Sequence, residues 1–119
     1  MYVIKFTDEG LADVKALPGN VRNALKADLI EKVATDPYNH SQALLSALKG
    51  WRSFGFREYR VIFKIYDDLK AIGIAAIGEH DPDAHKDVYK KLEALVIGGS
   101  VAEKMLITMR GFTLRQPED

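Results

Sequence analysis

Three closely spaced apolar runs between residues 51 and 78 constrain the fold of this chain more than any other feature. Aromatic and β-branched residues are frequent in all three runs, Trp51–Arg57, Tyr59–Tyr66 and Ala71–Gly78. Such residues are enriched in strands, and the pair Asp67-Asp68 is a suitable turn between the last two runs. The segment therefore predicts a three-stranded antiparallel meander.

The middle run predicts which side chains share a face of this meander. Successive side chains of a strand point to opposite faces, so Arg60, Ile62 and Lys64 are expected on one face. Val61 and Phe63 are expected on the other. Two basic side chains therefore lie on one face of the predicted sheet.

The sequence before and after the meander has apolar residues at helical spacing, together with helix-capping residues. Thr7 or Asp8 can cap the first helix, and Pro18 with Gly19 ends it. We expect an α+β fold with an N-terminal strand and two helices, then the meander and a C-terminal helix. The flanking elements are predicted as a strand at 2–7, helices at 8–17, 20–36 and 83–96, and a further helix that a capping box at Ser100 opens.

The length of 119 residues is that of one domain. We expect residues 1–97 to form this domain. Residues 98–119 are expected to add a helical extension that belongs to the same compact unit, with a frayed tail after Phe112.

Composition limits the classes of chemistry. The chain has no cysteine, which excludes disulfides, thiolate metal sites and thiol catalysis. It has no N-terminal signal pattern and no apolar run near the roughly 20 residues of a spanning helix, so we expect a soluble cytoplasmic protein. Its 17 basic and 17 acidic residues cancel, but residues 49–66 hold five basic residues and one acidic residue. This local net charge of +4 can bind an anion at short range.

The order of these elements resembles the RelE/ParE superfamily of bacterial toxins from type II toxin-antitoxin systems. The resemblance runs from Tyr2 to Val96 and includes Leu48-Lys49-Gly50 before the basic strands. Its most specific part is Arg57 followed by Glu58-Tyr59-Arg60-Val61-Ile62-Phe63, which is similar to strands of that family. Ala76–His80 followed by Asp87-Val88-Tyr89 is similar to the closing strand of the family and the tyrosine after it.

The resemblance implies a toxin that a cognate antitoxin keeps inactive. Toxins of the RelE branch enter the ribosomal A site and cut mRNA without a metal ion or cofactor. In that reaction the RNA 2′-hydroxyl attacks the neighbouring phosphate, which leaves a cyclic phosphate and a free 5′-hydroxyl.

Seven residues are candidates for this chemistry. Arg60 is expected to bind the phosphate, because a planar guanidinium matches two phosphate oxygens. By the resemblance, Tyr89 orients or deprotonates the attacking hydroxyl, and His80 takes a place where the family often has arginine. An imidazole can donate a proton near pH 7, so His80 can act as an acid. Arg57 is expected to add positive charge around the phosphate at the catalytic site. The expected RNA-binding residues are Lys64, Arg52 and Lys49.

Several alternatives remain open. RNA-cutting members of the family carry one or two lysines early in the basic strand, but residues 51–55 of this chain contain none. The sequence pI is also only about 6.8. Both features favour a ParE-like protein that inhibits DNA gyrase by binding. A degenerate member that only binds its antitoxin is the third hypothesis. The basic strand residues can also be solvated charges paired with Asp67, Asp68 or Glu58, and Tyr89 can be ordinary core packing. Histidines and carboxylates at residues 80–85 match no metal-ligand spacing, so no metal site is expected.

Overall fold

The computed structural model describes residues 1–80, 88–97 and 113–114. The predicted α+β fold is confirmed. The main elements are β1 (Val3–Phe6), α1 (Asp8–Ala16), α2 (Gly19–Asp28), β2 (Gln42–Ala43), β3 (Arg52–Phe56), β4 (Tyr59–Tyr66), β5 (Ala71–Glu79), α3 (Val88–Ile97) and β6 (Thr113–Leu114). Helix α2 continues as a π-helical turn over Leu29–Val33, and short 3₁₀ turns cover Ser46–Leu48 and Asp67–Leu69.

The strands form one mixed sheet in the order β2-β3-β4-β5-β1-β6. Strands β3, β4 and β5 are the predicted antiparallel meander. Strand β1 pairs parallel to β5, with Val3 beside Ala71, although the two are far apart in sequence. Strand β6 pairs antiparallel with β1, in a region where the sequence predicted only a frayed tail. A two-residue strand has too little alternation for detection from sequence.

Apolar side chains pack on both faces of the sheet. Val61 and Phe63 of β4 are fully buried in the core that includes residues of α1 and α2. Ile62 faces the opposite way and packs with Val88 and Leu92 of α3. The predicted division of β4 into two faces is therefore confirmed, and the face that carries Arg60 is the face covered by α3.

Local chemistry explains the start of α1. The side chain of Thr7 accepts a hydrogen bond from the backbone N–H of Gly10 at 3.0 Å, so the predicted threonine cap is confirmed. The backbone of Gly10 lies against β5, because a Cβ atom built there would be 2.5 Å from the carbonyl oxygen of Ile74. The absence of a side chain lets α1 sit directly on the sheet.

One prediction falls partly, and another wholly, outside the described residues. The helix predicted from Asp83 is described only from Val88 onward, and the helix predicted after Ser100 lies outside the described ranges. Within residues 1–80, 88–97 and 113–114, no helix is long and apolar enough to cross a membrane.

Candidate active site

A polar cleft of about 380 Å³ opens on the α3 side of the sheet. Strands β3 and β4, helix α3 and the segment 39–42 each contribute to its lining. The volume lies within the usual range for sites that bind small ligands. The described residues that line it are Asn39, His40, Ser41, Gln42, Ser53, Gly55, Arg60 and Tyr89.

Arg60 brings a positive charge into this cleft. Its cross-strand neighbours are Gly55 on β3 and Gly78 on β5, so no side chain stands beside it on either strand. Nη1 donates to the carbonyl oxygens of Arg57 at 3.1 Å and Tyr59 at 2.8 Å. Both acceptors are neutral, and Arg60 makes no salt bridge with any described residue. The charge is therefore uncompensated within the described part of the chain, and the remaining donors can bind an anion.

Tyr89 enters the cleft from the first turn of α3. Its hydroxyl oxygen is 2.8 Å from the hydroxyl oxygen of Ser53 on β3, and either group can donate. The tyrosine is half-buried, and its ring packs against the core on the α3 side. Val88 brings this turn close to the sheet, since a Cβ atom on Gly78 would be 3.3 Å from Val88 Cβ. Core packing of Tyr89 is thus correct for the ring, while its hydroxyl bonds Ser53 and the residue also lines the cleft.

His80 contacts Tyr89 but does not line the described cleft. The two rings meet edge to face, with centroids 4.7 Å apart and an interplanar angle of 86°. His80 is exposed at the end of β5. Its position supports an influence on the tyrosine ring, and the acid role expected from the sequence stays a prediction.

The other predicted cations lie outside the cleft. Lys64 Nζ is 5.0 Å from the ring centroid of Trp51, and the Arg57 guanidinium is 4.9 Å from that of Phe56. Lys49 is exposed just before β3. The alternative of an ion pair with Asp67, Asp68 or Glu58 is not found for Lys64 or Arg57 in the described part of the chain. Of the seven residues predicted from the sequence, Arg60 and Tyr89 are therefore the two that are among the described residues lining the cleft.

Arg52 holds the segment that leads into β2. Its Nε donates to the Ser41 hydroxyl at 2.7 Å, and its Nη2 donates to the carbonyl oxygens of Ser41 at 3.1 Å and Tyr38 at 3.3 Å. The guanidinium also lies 5.2 Å from the Tyr38 ring centroid. These contacts use the donors that a phosphate would need, so they favour a structural role for Arg52.

The polar segment 39–42 was not among the site residues predicted from the sequence, because a loop has no periodic pattern. The Asn39 amide donates to the carboxylate of Asp36 at 2.7 Å, and the Ser41 hydroxyl donates to the carbonyl of Pro37 at 2.6 Å. A polar run that includes a histidine, just before the basic strands, was the available signal.

Asp67 joins three distant parts of the chain. Its carboxylate accepts hydrogen bonds from the hydroxyls of Tyr2, at 2.6 Å, and Tyr38. These bonds hold the pKa of Asp67 below its ordinary value and raise the pKa of Tyr38. The same carboxylate raises the pKa of Tyr2 to about 12. Because Tyr38 directly precedes segment 39–42, Asp67 helps to fix that side of the cleft.

No group of three or more His, Asp or Glu side chains within residues 1–80, 88–97 and 113–114 is arranged to hold a metal ion. The described lining of the cleft also lacks carboxylates, the usual oxygen ligands for hard cations. The described cleft is therefore suited to an anion.

Comparison with known families gives one match over most of the chain. A family model described as the ParE toxin of the type II toxin-antitoxin system parDE matches residues 4–84. No curated protein sequence matches the chain at a significant level.

Solved structures of toxins share this fold. The toxin-antitoxin complex RelBE2 from Mycobacterium tuberculosis contains a chain with 22% identity and a TM-score of 0.63, and the match covers 66% of this chain and 98% of that one. The intact Escherichia coli RelBE complex gives 21% identity and a TM-score of 0.56 over 68% and 99%. Isolated E. coli RelE gives 19% and 0.56 over 81% and 99%. At these identities the similarity establishes the fold.

Proposed function

Because this chain belongs to the ParE toxins of type II toxin-antitoxin systems, within the RelE/ParE superfamily, we propose that it stops growth by cutting messenger RNA on the ribosome. One observation carries the proposal: Arg60, from a strand, and Tyr89, from a helix, line one cleft. Cleavage by the RNA's own 2′-hydroxyl needs a cation at the phosphate and proton-transfer groups beside it. The proposed reaction uses no metal ion and no cofactor.

Arg60 binds the scissile phosphate in this proposal. Charge accumulates on the phosphate oxygens when the 2′-oxygen attacks, and a fixed guanidinium stabilises that charge. The bonds from Nη1 to two backbone carbonyls hold the group in place before substrate arrives. No residue in the described part of the chain accepts a hydrogen bond from Nε or Nη2, so both can donate to the phosphate oxygens.

Tyr89 protonates the departing 5′-oxygen. A phenol carries its proton at neutral pH, so it is better suited to give a proton than to take one. The Ser53 hydroxyl, 2.8 Å away, can donate to the phenolate oxygen that remains. From the sequence, Tyr89 was expected to orient or deprotonate the attacking hydroxyl, and His80 was expected to act as the acid. Because His80 does not line the described cleft, we assign the acid role to Tyr89 instead.

The test compares the antitoxin-free protein with its Arg60→Ala variant on ribosomes that carry a defined message. We expect the wild type to produce cuts with 2′,3′-cyclic phosphate and 5′-hydroxyl ends. Loss of the phosphate contact should lower the single-turnover rate about 10²- to 10³-fold. Primer extension and end-group analysis measure both results.

Arg22→Ala is the matched control. Arg22 lies on α2, where its Nη1 donates to the carbonyl oxygen of Lys15 at 3.3 Å, so this arginine also bonds a backbone carbonyl but does not line the described cleft. We expect its cleavage rate to equal that of the wild type. An intact message after incubation with the wild-type protein would contradict the proposed function.

We also propose that a cognate antitoxin binds the protein in the cytoplasm. Two of the similar solved structures are toxin-antitoxin complexes. The net charge of +4 over residues 49–66 would complement an acidic segment of such a partner.

A second candidate function is inhibition of DNA gyrase by binding. The family model that matches is that of ParE toxins. Among the described lining residues Arg60 is also the one arginine or lysine, so the cleft offers little positive charge for RNA. Growth arrest without RNA cuts, together with loss of supercoiling by purified gyrase, would favour this function. Expression without any growth arrest would favour a member that only binds its antitoxin.

A further inference from the structure

His40 is a titratable side chain in the cleft that was not a candidate from the sequence and has no part in the proposed function so far. It is exposed and lines the cleft together with Arg60 and Tyr89. Among the described lining residues, His40 and Tyr89 are the two whose side chains can act as general acid or base; the rest are serine, amide, glycine or arginine. The proposed reaction still lacks a group that takes the proton of the attacking hydroxyl.

The hydrogen bonding of His40 fixes which ring nitrogen can accept that proton. Nδ1 is 2.9 Å from the backbone carbonyl oxygen of Asp36. A carbonyl oxygen only accepts hydrogen bonds, so Nδ1 carries the hydrogen. In the neutral ring Nε2 then has a lone pair, which is the form a general base requires.

The segment that carries His40 is fixed on both sides. Before it, the Asn39 amide is bonded to the carboxylate of Asp36 at 2.7 Å. After it, the Ser41 hydroxyl is bonded to Pro37 and receives a bond from Arg52. An imidazole held in this way loses little freedom when the substrate binds, which is what positioned proton transfer needs.

We infer that His40 is the general base of the proposed RNA cleavage, an assignment that rests on the proposed function. Nε2 of His40 takes the proton of the 2′-hydroxyl, and the 2′-oxygen forms a bond to phosphorus. The bond from phosphorus to the 5′-oxygen breaks, and that oxygen takes the proton of the Tyr89 hydroxyl. Solvent then removes the proton from His40 and returns one to Tyr89, so the cycle closes without any other reactant.

The test measures single-turnover cleavage of a ribosome-bound message by three proteins: wild type, His40→Ala and His40→Asn. Asparagine can keep the hydrogen bond to the carbonyl of Asp36 but has no atom in the place of Nε2. We expect both variants to cut about 10²- to 10⁴-fold more slowly than the wild type, the usual contribution of a general base. Free imidazole should accelerate His40→Ala and leave the wild-type rate unchanged. Thermal unfolding of each variant checks that the fold is intact.

A message with sulfur in place of the bridging 5′-oxygen separates base from acid. Sulfur leaves without a proton, so this message should restore the rate of Tyr89→Phe but not that of His40→Ala. Restoration of His40→Ala would make His40 the acid and overturn the inference. A rate within about threefold of wild type for His40→Ala, or a loss that imidazole does not reduce, would also overturn it. In each of these cases the wild type still cuts, so the proposed function stands; no cutting by the wild type sinks the function itself.

Discussion

Two glycines with different tasks flank Arg60 in the sheet. At Gly55 an added Cβ would be 3.6 Å from Cζ of Arg60, so the guanidinium lies over this bare backbone. At Gly78 an added Cβ would come within 3.3 Å of Val88, which begins α3. One glycine thus makes room for the arginine, and the other makes room for the helix that carries Tyr89.

A larger side chain at residue 55 should therefore displace the guanidinium. We expect Gly55→Leu to lower the cleavage rate about as much as loss of the arginine, roughly 10²- to 10³-fold. Its stability should change by less than about 0.5 kcal/mol, because Gly55 is exposed. Gly55→Ala is the control, since one methyl group stays at ordinary contact distance and should preserve the rate. Equal rates for leucine and alanine would show that cleavage does not depend on this position of Arg60.

Single residues of the site were predictable from sequence only where they lie in regular elements. Alternation along β4 correctly assigned the face that carries Arg60, and the helical segment with the family tyrosine supplied Tyr89. His40 lies in a loop, and its role depends on a hydrogen bond to Asp36 and on the position of Arg52. Such contacts exist only in the folded chain.

At the scale of elements, the contact between α1 and β5 leaves no space for a side chain at Gly10. A methyl group there would be 2.5 Å from the backbone oxygen of Ile74, so helix and strand must move apart. We expect Gly10→Ala to lower the free energy of unfolding by about 1–3 kcal/mol. Gly19→Ala on α2 is the control, because its nearest atom would be 3.7 Å away on a flexible arginine. It should be neutral or stabilising by up to about 1 kcal/mol.

Denaturant unfolding of the two variants measures this difference. A Gly10→Ala variant as stable as the wild type would mean that α1 can shift on the sheet at little cost.

Long elements were predicted better than short ones. Strands β3 to β5 have enough alternation to be recognised, whereas β2 and β6 have two residues each and form through their neighbours. The π-helical turn at Leu29–Val33 was not predicted. Its residues suit an ordinary α-helix equally well, so the sequence predicted one continuous helix.

At the scale of the whole molecule, Asp67 makes stability depend on pH at both extremes. Its lowered pKa means that the folded state favours the carboxylate, so this stabilisation is complete above the ordinary value of 3.8 and is lost at lower pH. The pKa of Tyr2, raised to about 12 from 10.0, has the opposite sign. That contribution is complete below pH 10 and is lost as the pH rises towards 12.

The variant Asp67→Asn tests this dependence. We expect the difference in melting temperature between wild type and variant to be largest between about pH 5 and pH 9 and to shrink on either side. Melting curves across this series measure it. A difference that is constant with pH would contradict the assigned bonds to Tyr2 and Tyr38.

The parallel pairing of β1 with β5 sets the order in which a newly made chain can finish folding. Val3 cannot pair until Ala71 has been synthesised. At about 5–20 residues per second, the ribosome needs several seconds to make the chain between them. Tyr89 follows later still. Under the proposed function, the cleft cannot form on a nascent chain until most of the protein has been made, so the ribosome that translates the toxin is spared until late in synthesis.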